Sequence, residues 1–177
     1  LLAEPVFSRH FRGLELADLV LVSPDVGNTK RARLFADRLN GELAIISKRR
    51  VSGAEVEMGR IIGDVKDKTV LMMDDMISTA GTVAQAARLC MDAGASRILV
   101  GATHGVLCGP AVERLAGAPI ERVVVSDTIP LPAATRDALD ALEVLSVSAL
   151  LGEAIHRIHN DESVSSLFVH KEPAARG

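Results

Sequence analysis

The sequence predicts an α/β protein with a largely parallel, twisted sheet flanked by helices. Two observations support this prediction. Short apolar runs alternate along most of the chain with segments whose apolar residues recur at helical spacing, and that alternation is typical of parallel sheets whose strands are joined by helices. Several of the runs, of which residues 69–73 are one, are apolar almost throughout, as are strands that are covered on both faces.

The composition predicts one domain and argues against two classes of partner. With 177 residues, 48% of them hydrophobic, the chain can bury one sizeable core. A net charge of −3 and the lack of Tyr and Trp argue against a nucleic-acid surface, because such surfaces need positive charge and aromatic platforms. No apolar run approaches the length that a membrane-spanning helix needs. Cys90 and Cys108 lack metal-ligand spacing, so we interpret them as ordinary thiols of a cytoplasmic protein.

Residues 1–17 are predicted to form a short amphipathic connector. Phe7 and Phe11 stand four residues apart, a spacing at which two rings can pack together onto a neighbouring surface. The chain begins without Met, and we expect it to be a piece of a longer protein. The domain proper is predicted over residues 18–169, and residues 170–177 are predicted to be a flexible tail.

The first strand is predicted at residues 19–23 and an amphipathic helix at residues 30–39. A turn over residues 24–29 connects them and contains an acid, Asp25. We expect Gly41 to end the helix, because glycine commonly follows the last helical residue.

A second strand is predicted at residues 43–47, and it leads directly into Lys48, Arg49 and Arg50. Small and polar residues follow through Glu55. Three cations at the end of a buried strand, followed by such a loop, indicate a mobile basic flap. An isolated cluster of this kind is more often a solvated charged surface. Residues 58–64 then lead back toward the centre of the sheet.

The central strand is predicted at residues 69–73, with Asp74 and Asp75 at the point where it must end. A loop of small and hydroxyl-bearing residues follows at 78–82, and a helix is predicted at 83–93. Ligands of open α/β sheets bind beyond the carboxyl ends of the strands. We therefore expect the functional site at this edge of the sheet.

The C-terminal half continues the alternation. We predict strands at residues 97–102, 120–126 and 142–147, a short helix after Gly109-Pro110 and a longer helix at residues 149–159. Residues 160–169 are compatible with an added edge strand. A single histidine at a strand end is usually structural, and we interpret His104 in that way.

The loop at residues 78–82 favours a phosphate as its ligand. Small residues let backbone N–H groups close around an anion, and the helix N-terminus contributes its positive end. The hydroxyl groups of Ser78, Thr79 and Thr82 add donors without adding charge. The alternative is a plain capped helix after a core strand, with the two preceding acids merely solvated.

Asp74 and Asp75 need their own explanation, because carboxylates repel a neighbouring phosphate unless something intervenes. Either they accept hydrogen bonds from sugar hydroxyls, or they face a hard cation such as Mg²⁺. A sugar phosphate with a vicinal diol, such as ribose 5-phosphate, satisfies both halves of the motif. In the turn at residues 24–29, a glycine at a helix N-terminus also suits phosphate oxygens and Asp25 suits a cation bound to them, although a purely structural turn is the commoner outcome.

Taken together, these segments resemble one known family. Residues 70–82 are similar to the phosphoribosyl-diphosphate binding motif of the type I phosphoribosyltransferase fold. The whole chain, from about residue 18 to residue 168, resembles the C-terminal half of the ribose-phosphate pyrophosphokinase family. The supporting segments lie in the order of that family and close to its spacing, at residues 22–31, 48–50, 63–65, 103–110 and 159–164.

The resemblance implies a role for each candidate site residue. The ribose 5-phosphate site would comprise Asp74, Asp75, Ser78, Thr79, Ala80, Gly81 and Thr82. The ATP phosphates would be bound by Asp25, Gly27 and Asn28, with Asp25 as a Mg²⁺ ligand, and the transition state would be stabilised by Lys48 and Arg50.

Two positions depart from the family pattern. Asn28 stands where the family commonly has a second glycine, and Ser78 stands where it usually has Asp. Asn tolerates a left-handed conformation better than most residues, so we expect the turn to survive. The loss of a carboxylate at residue 78 makes the loop less acidic.

The resemblance also implies an activity, the transfer of diphosphate from ATP to the 1-hydroxyl of ribose 5-phosphate. It further implies an N-terminal domain before residue 1, which would supply much of the ATP site, and a homohexamer. This chain alone is therefore expected to be inactive. Two alternatives stay open. One is a phosphoribosyltransferase that uses phosphoribosyl diphosphate, against which stands the lack of an aromatic hood for a base. The other is a non-catalytic, synthetase-like regulatory subunit, against which stands the retention of Lys48, Arg50, Asp25 and both central acids.

Overall fold

The computed structural model describes the backbone of residues 1–50 and 56–168, and the side chains of these residues except 48–50 and 56–58. Within that part of the chain, the strands are β1 (Leu19–Ser23), β2 (Glu42–Arg50), β3 (Val56–Ile62), β4 (Thr69–Ile77), β5 (Arg97–Gly105), β6 (Arg122–Ser126) and β7 (Leu142–Leu145). The α-helices are α1 (Glu4–Arg12), α2 (Thr29–Leu39), α3 (Gly81–Asp92), α4 (Ala111–Ala116), α5 (Ala133–Asp137) and α6 (Ser148–His159). Two 3₁₀ turns lie at Val26–Asn28 and Ser165–Leu167.

The described strands form one sheet in the order β3-β2-β1-β4-β5-β6-β7. All neighbouring pairs are parallel except β2 with β3, so the predicted fold class is confirmed. From β1 the chain moves outward to β2, and from β4 it moves outward in the opposite direction to β5. The connections therefore diverge between β1 and β4, and such a switch point opens a crevice at the carboxyl ends of the two strands.

The core lies in two layers, one on each face of the sheet. Alternate residues of β4 point to opposite faces, so that Val70 and Met72 belong to one buried cluster and Leu71 and Met73 to the other. Helix α3 covers the first layer and α2 covers the second, with Phe35 as its largest buried residue. Both strands that flank the crevice are thus fixed from above and below.

The segment predicted to be a connector contains helix α1, and this helix belongs to the core. Phe7 and Phe11 are each 1% exposed and pack in the same layer as Phe35 and Met73. Their ring centroids are 6.4 Å apart. The neighbouring surface on which the two rings pack is therefore the sheet of this same domain.

The central strand is longer than predicted. It continues through both acids to Ile77, because Asp74, Met76 and Ile77 pair with β5, which itself continues to Gly105. The residues before Asp74 are buried, whereas Asp74 is half-buried and Asp75 is exposed. The two acids thus lie at the margin of the core, where charged residues can remain in the strand, although Ile77 beyond them is buried again.

The basic segment also begins within a strand. Strand β2 was expected to end at residue 47 but runs to Arg50, and its last residues pair antiparallel with β3. Strand β3 was not predicted. Residues 51–55, the rest of the predicted flap, lie outside the described residues.

Two smaller expectations were wrong, and one short helix was not foreseen. Helix α2 ends on Asn40, which takes the left-handed conformation (φ 53°), so Gly41 does not fill that role. Residues 160–168 contain a 3₁₀ turn at Ser165–Leu167 and no edge strand. Helix α5 was not foreseen, because its five residues are too few to show a helical period. The predicted tail at 170–177 lies outside the described part of the chain.

None of the helices in the described residues is long and apolar enough to span a membrane.

Candidate functional site

The switch point brings most of the predicted site residues together. A cleft of about 210 Å³ lies between β1 and β4 and is lined by Asp25, Asp74 and all of residues 78–82, with Gly101 of β5 behind them. A second, more open groove of about 340 Å³ adjoins it. Its lining comprises Asp25, Gly27, Asn28, Lys30, Arg31, Asp74 and Asp75. The two strand-end turns therefore face one continuous depression, as expected for parallel strands.

The loop at residues 78–82 has the backbone geometry of an anion-binding turn. Ala80 adopts the left-handed conformation (φ 58°, ψ 9°), and Gly81 begins helix α3. No N–H group of residues 79–83 donates a hydrogen bond to any other part of the chain that the structure describes. Successive N–H groups around a left-handed residue at a helix N-terminus form a concavity that attracts anions. A non-glycine residue in this conformation is strained, and such strain is typical of ligand-binding turns.

Contacts from distant residues hold this loop in place. The N–H groups of Leu107 and Cys108 donate to the carbonyl oxygens of Ile77 and Ser78, each over 3.0 Å. The Nη1 atom of Arg114 donates to the carbonyl oxygen of Thr79 over 3.0 Å. The loop carbonyls are therefore turned toward the protein, which leaves the N–H groups facing the cleft. Sequence reasoning missed Arg114, since it lies 35 residues from its acceptor.

The turn after β1 is held by its own acid. Oδ1 of Asp25 accepts a hydrogen bond from the N–H of Asn28 over 2.9 Å and so caps the 3₁₀ turn. The hydroxyl of Ser23 donates to the carbonyl oxygen of Asp25 over 2.6 Å. Asp25 thus lies at the junction of the cleft and the groove in a fixed backbone conformation.

Asn28 is engaged within the protein. It is 9% exposed, and its Nδ2 atom donates to the carbonyl oxygen of Met73 over 2.7 Å. Its Oδ1 atom accepts from Nη1 of Arg31, also over 2.7 Å. The expectation that this position uses the tolerance of Asn for a left-handed conformation is wrong, because Asn28 has φ −89° and ψ 1°.

Arg31 places a cation beside the acid pair. Its Nη1 atom donates to Oδ1 of Asp74 over 2.9 Å, and its Nη2 atom lies 3.4 Å from Oδ2 of Asp75. The sequence suggested that either a sugar diol or a metal ion relieves the repulsion between these carboxylates and a phosphate. The structure shows a third group that can do so, the guanidinium of Arg31. Helical spacing could indicate only the contact between Arg31 and Asn28, since Arg31 follows Asn28 by three residues and therefore shares its side of the turn.

The two acids differ in their electrostatics. Burial raises the pKa of Asp74 to about 6 from its usual 3.8. The hydrogen bond that it forms with Asp75 lowers the pKa of Asp75. One member of the pair therefore titrates near pH 6 while the other stays ionised there. Such a pair can both donate and accept hydrogen bonds, as recognition of hydroxyl groups requires.

The residues present fit a Mg²⁺ ion that is bound jointly with phosphates. Among the described residues, no group of three or more His, Cys, Asp or Glu side chains could hold a metal ion. Mg²⁺ beside substrate phosphates commonly takes only one or two protein carboxylates, with water and phosphate oxygens as its other ligands. Asp25, in a groove that Asp74 and Asp75 also line, meets that requirement.

The predicted catalytic side chains, Lys48 and Arg50, lie outside the described side chains. The backbone places both residues in β2, where they pair with Met58 and Val56 of β3. Because β2 runs parallel to β1, Lys48 and Arg50 lie at the same edge of the sheet as Asp25. His104 has a partner within the fold: its Nδ1 atom and Oγ1 of Thr128 are 2.9 Å apart.

The sheet order and the two turns at its switch point define the type I phosphoribosyltransferase-like fold, as the sequence predicted. The family described as "Phosphoribosyl synthetase-associated domain" matches residues 50–169. The chain belongs to this family.

Known relatives and a solved structure agree with this assignment. The ribose-phosphate pyrophosphokinase of Caldanaerobacter subterraneus subsp. tengcongensis is 52% identical over 169 residues, which cover 95% of this chain and 53% of the relative. The protein of the same name from Rhodopirellula baltica is 52% identical over 171 residues, which cover 95% and 54%. The crystal structure of phosphoribosylpyrophosphate synthetase from Mycobacterium smegmatis superposes with a TM-score of 0.81 at 36% identity and covers 90% of this chain and 51% of that one. The chain thus spans about half the length of the curated relatives it matches.

Proposed function

We propose that this chain supplies the sugar-phosphate half of a ribose-phosphate diphosphokinase. In the proposed reaction the 1-hydroxyl oxygen of ribose 5-phosphate forms a bond to the β-phosphorus of ATP. The bond from that phosphorus to the oxygen that bridges to the α-phosphorus breaks, and the hydroxyl proton is released. The products are phosphoribosyl diphosphate and AMP.

One observation carries this proposal: the cleft has an anion-binding turn on one wall and Asp74 on the strand that leads into that turn, and Asp75 lines the groove that adjoins the cleft. The N–H groups of residues 79–83 and the hydroxyls of Ser78, Thr79 and Thr82 supply donors for a 5-phosphate. Asp74 and Asp75 supply partners for the ribose hydroxyls. A ligand that is anionic at one end and carries a diol at the other matches this arrangement better than a phosphate alone.

The groove beside the acids is the proposed position of the ATP phosphates. The residues assigned to them are Asp25, Gly27 and Asn28, and the groove also contains Lys30 and Arg31. Because the side-chain amide and the N–H of Asn28 are both engaged inside the protein, the contribution of Asn28 would be to fix the turn. Asp25 would hold Mg²⁺, which would neutralise phosphate charge when bound.

Lys48 and Arg50 are the proposed transition-state cations. Phosphoryl transfer is catalysed mainly by positioning and electrostatics, so cations that reach the transferring group and the departing AMP have the role that this chemistry requires. Their position in β2, beside β1, supports this assignment. No nucleophilic side chain is needed.

Adenine recognition is assigned to a part of the enzyme that this chain does not contain, because the chain spans about half of its relatives. We therefore propose that the 177-residue chain binds ribose 5-phosphate without catalysing the reaction. A cytoplasmic location and assembly as a homohexamer are proposed together with the activity. No nucleic acid or membrane is proposed as a partner.

The test is AMP formation from ATP and ribose 5-phosphate in the presence of Mg²⁺. We expect negligible turnover by the 177-residue chain and measurable turnover by its fusion to the remaining half of the Caldanaerobacter subterraneus relative. Release of diphosphate from phosphoribosyl diphosphate and a nucleobase, without AMP formation, would indicate a phosphoribosyltransferase. Sugar-phosphate binding without either reaction in the fusion would indicate a regulatory subunit.

A further inference from the structure

We propose that Asn28 is a positioning residue that holds Arg31 on the acid pair and thereby sets the preference of the site for ribose over 2-deoxyribose. This inference rests on the proposed function, in which Asp74 and Asp75 bind the sugar hydroxyls.

The Asn28 amide extends the pairing between β1 and β4 beyond the end of their ladder. The backbone register of these strands ends at Leu21 and Leu71. Two residues further along β4, the carbonyl oxygen of Met73 accepts from Nδ2 of Asn28 over 2.7 Å. The bond fastens the turn to the peptide group that joins Met73 to Asp74. A glycine at position 28 has no side chain with which to make it.

The oxygen of the same side-chain amide orients Arg31. Nη1 of Arg31 donates both to Oδ1 of Asn28, over 2.7 Å, and to Oδ1 of Asp74, over 2.9 Å. Nη2 then lies 3.4 Å from Oδ2 of Asp75. Because a guanidinium is planar and rigid, one fixed contact at Nη1 restricts where Nη2 can be placed.

Removal of the Asn28 side chain is therefore expected to alter the surroundings of the acid pair indirectly, through Arg31. Arg31 would keep its attraction to the carboxylates but lose the contact that fixes its plane. The carboxylates would still carry charge, and among the described residues the phosphate loop at residues 78–82 forms no hydrogen bond with Asn28, whose partners are Asp25, Met73 and Arg31. We therefore expect the loss to fall on recognition of the 2-hydroxyl and to leave phosphate recognition in place.

The readout is the ratio of the dissociation constants for 2-deoxyribose 5-phosphate and ribose 5-phosphate, measured by calorimetry on the 177-residue chain. We expect Asn28→Gly to lower this ratio about tenfold, because a site that hydrogen-bonds a hydroxyl discriminates only while its partners are oriented. A general loosening of the fold would weaken both ligands equally and leave the ratio unchanged. Arg31→Lys keeps the positive charge but lacks the planar guanidinium with its two Nη groups, and it is also expected to lower the ratio.

A double variant tests whether Asn28 acts through Arg31. Asn28→Gly should lower the ratio strongly in the wild-type background and hardly at all in an Arg31→Gln background, since residues in one network have non-additive effects. The matched control is Asn40→Gly, which replaces the Asn that caps the other end of helix α2, at a left-handed residue that glycine accepts (φ 53°). This control should leave the ratio within about twofold of the wild type.

A ligand-free measurement separates this inference from the proposed function. In ¹⁵N spectra of the free chain, a fixed Arg31 guanidinium should give separate Nη signals, and Asn28→Gly should average them. If the wild-type chain binds neither sugar phosphate, the proposed function fails while the Arg31 signals still test the positioning. An unchanged ratio with Arg31 equally ordered in Asn28→Gly would overturn the inference.

Discussion

Nη1 of Arg31 donates to Oδ1 of Asp74 over 2.9 Å, although the two residues lie 43 positions apart in the chain. The contact joins the first turn of α2 to the exposed end of β4, and with Asp75 it forms a small charged network across the switch point. The protein itself therefore places a cation against the acid pair. This arrangement explains how two carboxylates can border a cleft that also has an anion-binding turn.

The raised pKa of Asp74 predicts a pH-dependent stability. Since burial raises this pKa from 3.8 to about 6, the folded chain binds more protons than the unfolded chain between about pH 4 and pH 6. The contribution of Asp74 therefore lowers the unfolding free energy as the pH rises through that window. Asp74→Asn should remove this decrease in unfolding free energy and should be more stable than the wild type above pH 6. Urea unfolding at a series of pH values measures both effects.

Asp75→Asn is the matched comparison and should behave oppositely. The pKa of Asp75 is lowered by its hydrogen bond with Asp74, so Asp75 stabilises the fold above its unfolded-state pKa and this stabilisation is lost as the pH falls. Asp75→Asn should lower the unfolding free energy at neutral pH. Identical pH profiles for the two variants would show that the acids are equivalent and that burial does not distinguish them.

The left-handed conformation of Ala80 predicts an asymmetric response to substitution. Ala80→Gly should retain ribose 5-phosphate binding and change the unfolding free energy by less than about 1 kcal/mol, because relief of strain is offset by the greater freedom of the unfolded chain. Ala80→Val should lower it by about 2 kcal/mol or more and abolish binding, since a β-branched residue is disfavoured at positive φ. Chemical denaturation and calorimetry measure the two effects. Equal binding by both variants would argue against a role for this turn.

Helix α1 should contribute strongly to stability. Phe11 is 1% exposed, and replacement of a buried Phe by Ala typically costs 3–5 kcal/mol. Phe11→Ala should therefore lower the unfolding free energy by about this amount, whereas Leu2→Ala, at a residue that is 49% exposed, should change it by about 0.5 kcal/mol or less. If both variants unfold like the wild type, the helix does not pack against this core.

The basic segment should act on the transition state. Lys48→Ala and Arg50→Ala should each lower kcat far more than they weaken substrate binding, by about 3–5 kcal/mol or about a hundredfold to several thousandfold. Because successive side chains of an extended segment alternate between its faces, we expect Arg49→Ala to be mild. Steady-state kinetics of the three variants, in the fusion described above, provide the comparison. Small and equal effects at the three positions would indicate only a solvated basic surface.

The parts of the site that are local in sequence could be predicted from the sequence. Strand β4, the acid pair and the loop at residues 78–82 follow one another along the chain, so their order and chemistry can be deduced directly. The position of Asp25 and Asp74 in one cleft could also be predicted, because parallel strands bring their carboxyl ends to one edge of the sheet.

What could not be predicted depends on contacts between distant residues. Arg31 lies 43 positions from Asp74, and Arg114 lies 35 positions from Thr79, so no local pattern indicates either contact. Strand β4 continues past its acids only because β5 also extends to pair with it. Helix α1 was predicted as a connector because its nine residues carry too few apolar positions to establish a helical period.

The most direct test of the account is a crystal structure of the 177-residue chain with ribose 5-phosphate. We predict that the phosphate oxygens accept hydrogen bonds from N–H groups of residues 79–83 and that the sugar hydroxyls contact Asp74 and Asp75. A sugar phosphate in the reverse orientation, with its phosphate against Lys30 and Arg31 and its hydroxyls away from the acid pair, would contradict the account.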